Sequence, residues 1–170
     1  MPDSADVSPL TSPLLYYAEQ AVKYVEFAVE VAANRLSDLL ATGGGSYVCV
    51  TASRLFNPDD KSLPKLERIH QWAARAEDAG CGNCGEQAAV AFVYLEKLRS
   101  VRPLEFMYVE APYDHNYVVV GRPESSDVSD PATWGSTAVV CDPWKDKSYA
   151  AADFATVWPG RTPVCFHRLP

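Results

Sequence analysis

From Cys84 to Ser100, apolar side chains fall on nearly every face of a helix: Ala88, Ala89, Val90, Ala91, Phe92, Val93, Leu95 and Leu98. A helix apolar all round has no side to show to water, so this segment predicts a central helix that the rest of the chain must cover. Ahead of it, Ser12-Pro13 reads as an N-cap and first-turn proline. Leu14, Ala18, Ala21, Val25, Ala28, Ala32, Leu36 and Leu39 then recur at helical spacing, which predicts one long amphipathic helix closed by Gly43-Gly44-Gly45. Tyr47 to Thr51 reads as a short strand-like run and Asn57-Pro58-Asp59-Asp60 as a turn. A second helix is expected from Ser62 to Gly80, burying Leu66, Ile69, Trp72, Ala73 and Ala76.

Past the central helix the period changes to two. Leu104 to Glu110, His115 to Gly121, Ser136 to Asp142 and Val164 to His167 read as strands separated by Pro, Gly, Ser and Asp clusters. Helices first and an antiparallel meander afterwards define the α+β class. The 170 residues are one domain's worth, read as a flexible leader over 1–12, rich in Ser, Pro and Asp, and a single domain over 13–170. The leader lacks the basic start and apolar stretch of a Sec-type signal. No apolar run reaches the roughly 20 residues of a membrane span. A net charge of −7 argues against a nucleic-acid partner, because phosphate binding needs clustered Lys and Arg. Five cysteines, an odd number in a chain this long, read as free thiols folded in a reducing compartment.

The segment Gly80-Cys81-Gly82-Asn83-Cys84-Gly85-Glu86-Gln87 concentrates the chemistry. Two glycines deliver Cys84 to the first turn of the central helix, where unpaired N–H groups and the positive end of the macrodipole favour thiolate over thiol. The same N–H groups can hold an oxyanion. Gly85 keeps bulk away from the sulfur, and Asn83 is small and polar. A thiolate enzyme needs a base and a group that orients it. His115 opens a strand 31 residues after Cys84, and Asp142 ends the next strand, followed by Pro143 and by Trp144, which can shield the pair. Both residues are expected to face the helix that carries the cysteine, with Asp142 accepting from Nδ1–H of His115. Asp114 is the second candidate for the acid.

In their order, Gly82-Asn83-Cys84-Gly85-Glu86-Gln87-Ala88, His115-Asn116-Tyr117-Val118-Val119-Val120 and Cys141-Asp142-Pro143-Trp144 resemble the core of the papain-like/transglutaminase-like superfamily. The likeness is greatest to bacterial toxin and effector domains described as papain-fold toxins or glutamine deamidases, and it covers roughly residues 80–145. The resemblance implies a Cys84 nucleophile, a His115 base and an Asp142 third member, with Asn83, Gly85 and Trp144 around the oxyanion and the substrate. It implies a protein substrate and no cofactor. It also implies export by a specialised bacterial secretion system, with a secretion chaperone or immunity protein as partner and action in the cytoplasm of a target cell. A cytoplasmic protein is the alternative. The chain departs from papain at Asp78, which occupies the position of papain's oxyanion glutamine.

Glutamine deamidation is favoured, with peptide hydrolysis and acyl transfer to an amine as the same chemistry on the same scaffold. A non-catalytic effector or adaptor that binds a partner protein is the rival from another class. Cys81-Gly82-Asn83-Cys84 is also formally a Cys-x-x-Cys unit, suited to redox work or half a zinc site. A helix rather than a strand precedes it, and only Cys165-Phe166-His167 offers a further ligand-like pair, so no metal is expected. Cys49, Cys141 and Cys165 read as small core residues, and His70 and His167 as structural.

Overall fold

The computed structural model describes residues 12–170. The stretch read as a leader, apart from Ser12, lies outside the described residues. Helix α1 (Pro13–Ala28) starts where the first-turn proline places it and buries Ala18, Ala21, Val22 and Val25. It does not continue to Leu39. From Val29 the chain is extended and pairs with the loop ahead of the central helix: Glu30 N–H donates to Gly80 O, and Gly82 N–H to Val31 O, each at 3.0 Å. These long-range bonds satisfy backbone groups that a continuous helix would have used internally, so the helical period of Ala28, Ala32 and Leu36 is overridden.

The chain turns helical again in α2 (Leu36–Ala41), where the Asp38 carboxylate accepts from Ala32 N–H at 2.8 Å. Gly43 and Gly44 take left-handed φ values of 58° and 89° and turn the chain into α3 (Gly45–Phe56). The Tyr47–Thr51 run expected as a strand is therefore helical. Its alternating β-branched residues mimic a strand, but Ser46 and Val50, four apart, form the buried stripe.

Helix α4 (Lys65–Ala79) begins after Pro64 rather than at Ser62 and stops at Gly80, φ 68°. It packs on α5 (Cys84–Glu96), whose Ala88, Ala89, Val90, Ala91, Phe92 and Leu95 are all buried. Helix α5 ends four residues before Ser100, because the Arg102 guanidinium caps the carbonyls of Glu96, Leu98 and Val101.

The strands are β1 (Leu104–Val109), β2 (His115–Val120), β3 (Val139–Asp142), β4 (Lys147–Ala150) and, after the short helix α6 (Phe154–Val157), β5 (Pro163–Leu169). They form one antiparallel sheet in the order β4-β3-β2-β1-β5. The molecule is α+β, as expected, with β4 as an unanticipated strand. Alternation divides the sheet into two faces. Leu104, Phe106, Val118, Val120, Val139 and Cys141 pack against α1, α4 and α5. Met107, Val109, Tyr117, Val119 and Val140 pack against Trp134, Tyr149, Phe154 and Trp158, contributed by turns, short helices and the edge strand. No helix among the described residues is long and apolar enough to cross a membrane.

Candidate active site

Gly80 ends α4, and the next two residues run beside Val31 before α5 begins. Gly82 is required there, since a Cβ would stand 2.6 Å from the Cβ of Glu86. Asn83 is the N-cap: its backbone N–H donates to Glu86 Oε2 at 3.0 Å. Its side-chain Oδ1 accepts from Ala33 N–H at 2.9 Å and Asn34 N–H at 3.2 Å. Cys84 is the first residue of α5, with 6% of its surface exposed. Its Sγ lies 3.6 Å from the Asp114 carbonyl oxygen and 3.8 Å from Asn34 Nδ2. At Gly85 a Cβ would touch Asn116 Oδ1 at 3.4 Å, so the space next to the sulfur stays open for lack of a side chain.

His115 Nε2 lies 2.8 and 3.0 Å from the two carboxylate oxygens of Asp142, and both residues are buried. The nitrogen that meets the acid is Nε2, not the expected Nδ1. Neither residue faces α5: alternation puts His115 with Tyr117, and Asp142 with Val140, on the sheet face turned away from the helices. The register that pairs Val118 with Cys141 sets Asp142 beside Tyr117, so the His115 ring must reach along the strand and meets Asp142 with its far nitrogen. The Cys84 side chain also comes within hydrogen-bonding reach of the His115 ring. Asp114 offers the site its carbonyl oxygen, and its left-handed φ of 39° belongs to the turn before β2.

Burial alone would lower the His115 pKa. Hydrogen bonds to Asp142 and Cys84, with the charges of both, outweigh it and hold the imidazolium up to about 9. Aromatic rings enclose it: Trp158 at 4.5 Å between centroids, Trp144 edge-on at 5.4 Å and Tyr117 at 6.3 Å. Trp144 thus covers the pair, and it also fixes a residue that sequence reasoning did not single out. Its Nε1–H donates to Asn34 Oδ1 at 2.8 Å, which turns the Asn34 amide so that its NH2 faces the Cys84 sulfur. Asn34 and Arg35 lie off the apolar stripe, between Ala32 and Leu36, so the sequence carried no signal for Asn34. Asp78, at the papain glutamine position, is on an exposed side of α4.

Below Gly85, the Glu86 carboxylate is buried between two guanidinium groups. Arg54 donates through Nε and Nη2 at 2.7 and 2.8 Å, and Arg75 through Nη2 at 2.9 Å. Burial pushes the Glu86 carboxyl up, but hydrogen bonding and charge from Arg54, with the charge of Arg75, hold it below the ordinary carboxylate range.

The expectation of five free thiols is corrected. Cys49 and Cys81 form a disulfide, because α3 passes beside the loop with the two Cα atoms 6.3 Å apart. Cys49 is therefore neither in a strand nor a free core thiol. With its sulfur engaged, Cys81 also cannot form a dithiol or a zinc half-site with Cys84. Cys141 is buried in the core; Cys165 is half-buried on β5. His70 pairs with Glu96 at the surface, and His167 packs near Phe92. Among the described residues no group of three or more His, Cys, Asp or Glu is arranged to hold a metal ion. Comparison with protein-family models and with curated proteins finds no match to this chain.

Proposed function

We propose that this chain is a thiol-dependent amide hydrolase with a papain-like/transglutaminase-like core, converting glutamine side chains of a target protein to glutamate. The observation that carries the reading is the buried His115–Asp142 pair, its imidazolium held up to about 9, set against a cysteine at a helix N-terminus. In the first half-reaction Cys84 Sγ attacks the amide carbon, forming a C–S bond and a tetrahedral oxyanion. His115 gives its proton to the departing nitrogen, the C–N bond breaks and ammonia leaves a thioester. Water then attacks the thioester while neutral His115 takes its proton. The carboxylic acid is released, and the thiolate–imidazolium pair is restored.

Two donors suit the oxyanion: the Cys84 N–H, in the first helical turn where no intrahelical partner exists, and Asn34 Nδ2. Asn34 thereby takes the place left empty by Asp78. Ammonia as leaving group needs only a shallow site, which favours glutamine side chains over peptide bonds. Action as an effector or toxin, exported by a specialised secretion system into the cytoplasm of a target cell, belongs to the same reading.

The test is incubation of the purified chain with glutamine-containing proteins, followed by intact mass and ammonia assays. The expected result is the mass gain of an amide converted to an acid, lost in Cys84→Ser. Fragments would redirect the reading to a peptidase, and incorporation of an added amine to a transglutaminase. No covalent change on any candidate, together with ordinary alkylation of Cys84, would overturn it in favour of a binding protein.

A further inference from the structure

A cavity of about 370 Å³ opens beside the nucleophile, walled by Arg54, Arg75, Trp72, Asp59, Gly85 and Asn116. It meets the site where Gly85 supplies no side chain. We infer that this cavity is a substrate subsite for an acidic side chain, glutamate or aspartate, flanking the reactive glutamine. The inference rests on the reading of Cys84 as an amide-attacking nucleophile and adds the sequence context it acts on.

Charge and hydrogen-bond satisfaction both point to an anion. Glu86 serves Arg54 and Arg75 at once. Asp59, the other carboxylate at the cavity, is held by Arg68 at 3.0 and 2.7 Å and by Trp72 Nε1–H at 2.9 Å. Arg68 is thus balanced by Asp59, with Asp60 also near it, whereas Arg54 and Arg75 share the single carboxylate of Glu86. The cluster is short of acceptors as well: Arg75 Nε is buried with no hydrogen-bond partner, and Arg54 Nη1 has none among the described residues. The Arg54 side chain is 46% exposed, so its free edge can reach a ligand. A carboxylate entering past Gly85 would find a guanidinium already oriented by Glu86 and an indole wall for its methylenes. In a chain of net charge −7, a cationic cavity next to the nucleophile is a local exception that can discriminate among substrates.

The experiment uses the full chain as Cys84→Ala, so that binding is read without turnover. Fluorescent peptides carry one glutamine flanked by glutamate, glutamine or lysine, and Kd is measured by anisotropy at two salt concentrations. The expected result is roughly tenfold tighter binding of the glutamate-flanked peptide than of the glutamine-flanked one, weakening with salt, and still weaker binding with lysine. Adding Arg54→Met should erase the glutamate advantage, whereas Arg54→Lys, which keeps the charge, should retain part of it. Equal affinity for the three peptides, no binding of any, or an undiminished glutamate preference in folded Arg54→Met would overturn the subsite. Turnover by the unmodified chain is assayed separately with the same peptides. Glutamate-selective binding with no turnover and ordinary alkylation of Cys84 would leave an anion-binding cavity but sink the hydrolase reading; turnover blind to the flanking residue would overturn the subsite and leave the hydrolase reading standing.

Discussion

The two faces of the sheet are built on different terms. The face under α1, α4 and α5 is aliphatic and sealed: Ala88, Val90, Phe92, Leu95, Leu104 and Val120 are each at most 1% exposed. The opposite face is aromatic and covered by turns, short helices and α6, and it holds His115 and Asp142 among Tyr117, Trp144 and Trp158. Regular helices close a surface by repeating one apolar stripe, and here their buried charges, Glu86 and Arg75, lie between helices rather than on the sheet. An irregular cover can supply a carboxylate, an indole and a turn amide at chosen points around one imidazole. The aliphatic helical layer therefore lies on one side of the sheet, and the buried His115–Asp142 pair on the other, among aromatic rings. Cys84, at the tip of a helix, is where the two sides meet.

The greatest effect is expected at that meeting point. Cys84→Ala should lower turnover by roughly 10⁴-fold or more while leaving the melting temperature close to unchanged; a circular dichroism melt beside a deamidation assay checks both. Asp142→Asn breaks the aromatic face next. It should cost up to about 10⁴-fold in turnover, because asparagine can hold the imidazole in the wrong tautomer. Its pH profile distinguishes an orienting acid from a strand terminator. With His115 held up to about 9, the descending limb of kcat should lie near that pH, and in Asp142→Asn it should move to lower pH.

The same shift has a stability consequence. A histidine raised from 6.5 contributes stability that is fully present below 6.5, declines above it and is gone once pH has passed about 9. Urea melts should therefore show the gap between unmodified chain and Asp142→Asn narrowing across that window. Asn34→Ala is expected to cost about 10²–10³-fold in kcat with KM little altered, the usual loss for one oxyanion donor. An equal loss in KM alone would make Asn34 a binding residue instead. The smallest effect on chemistry should come from Leu95→Ala on the sealed face: about 2–5 kcal/mol of unfolding free energy, read by urea titration, with kcat of the folded fraction changed by less than about threefold.

Legibility in the sequence followed the same division. The all-apolar period of α5 and the alternation of β1, β2 and β3 are local patterns, and local patterns survive inspection of one chain. What escaped was settled by contacts far apart in sequence. The break after Ala28 depends on pairing with Gly80 and Gly82. Helix α3 depends on Ser46 and Val50 finding a buried side. Strand β4, Lys-Ser-Tyr-Ala, carries too little hydrophobic contrast to announce an edge strand. Cys84, His115, Asp142 and Trp144 could be named from their motifs and are brought together. The side of the sheet on which the histidine and aspartate stand, the ring nitrogen they share, and Asn34 could not be read without the register.

The Cys49–Cys81 bond closes a ring whose ends are 32 residues apart. Inside that ring lie Arg54, Asp59, Trp72 and Arg75, most of the cavity wall, while the nucleophile stands three residues outside it. Two sulfurs are therefore bonded and a third, three residues away, is free; under the proposed function the free one must stay reduced to react. A thiol reagent added to protect Cys84 would also open the ring, removing a constraint typically worth about 2–4 kcal/mol. Assays of the proposed activity with and without reductant therefore compare the chain with its cavity wall tethered and untethered.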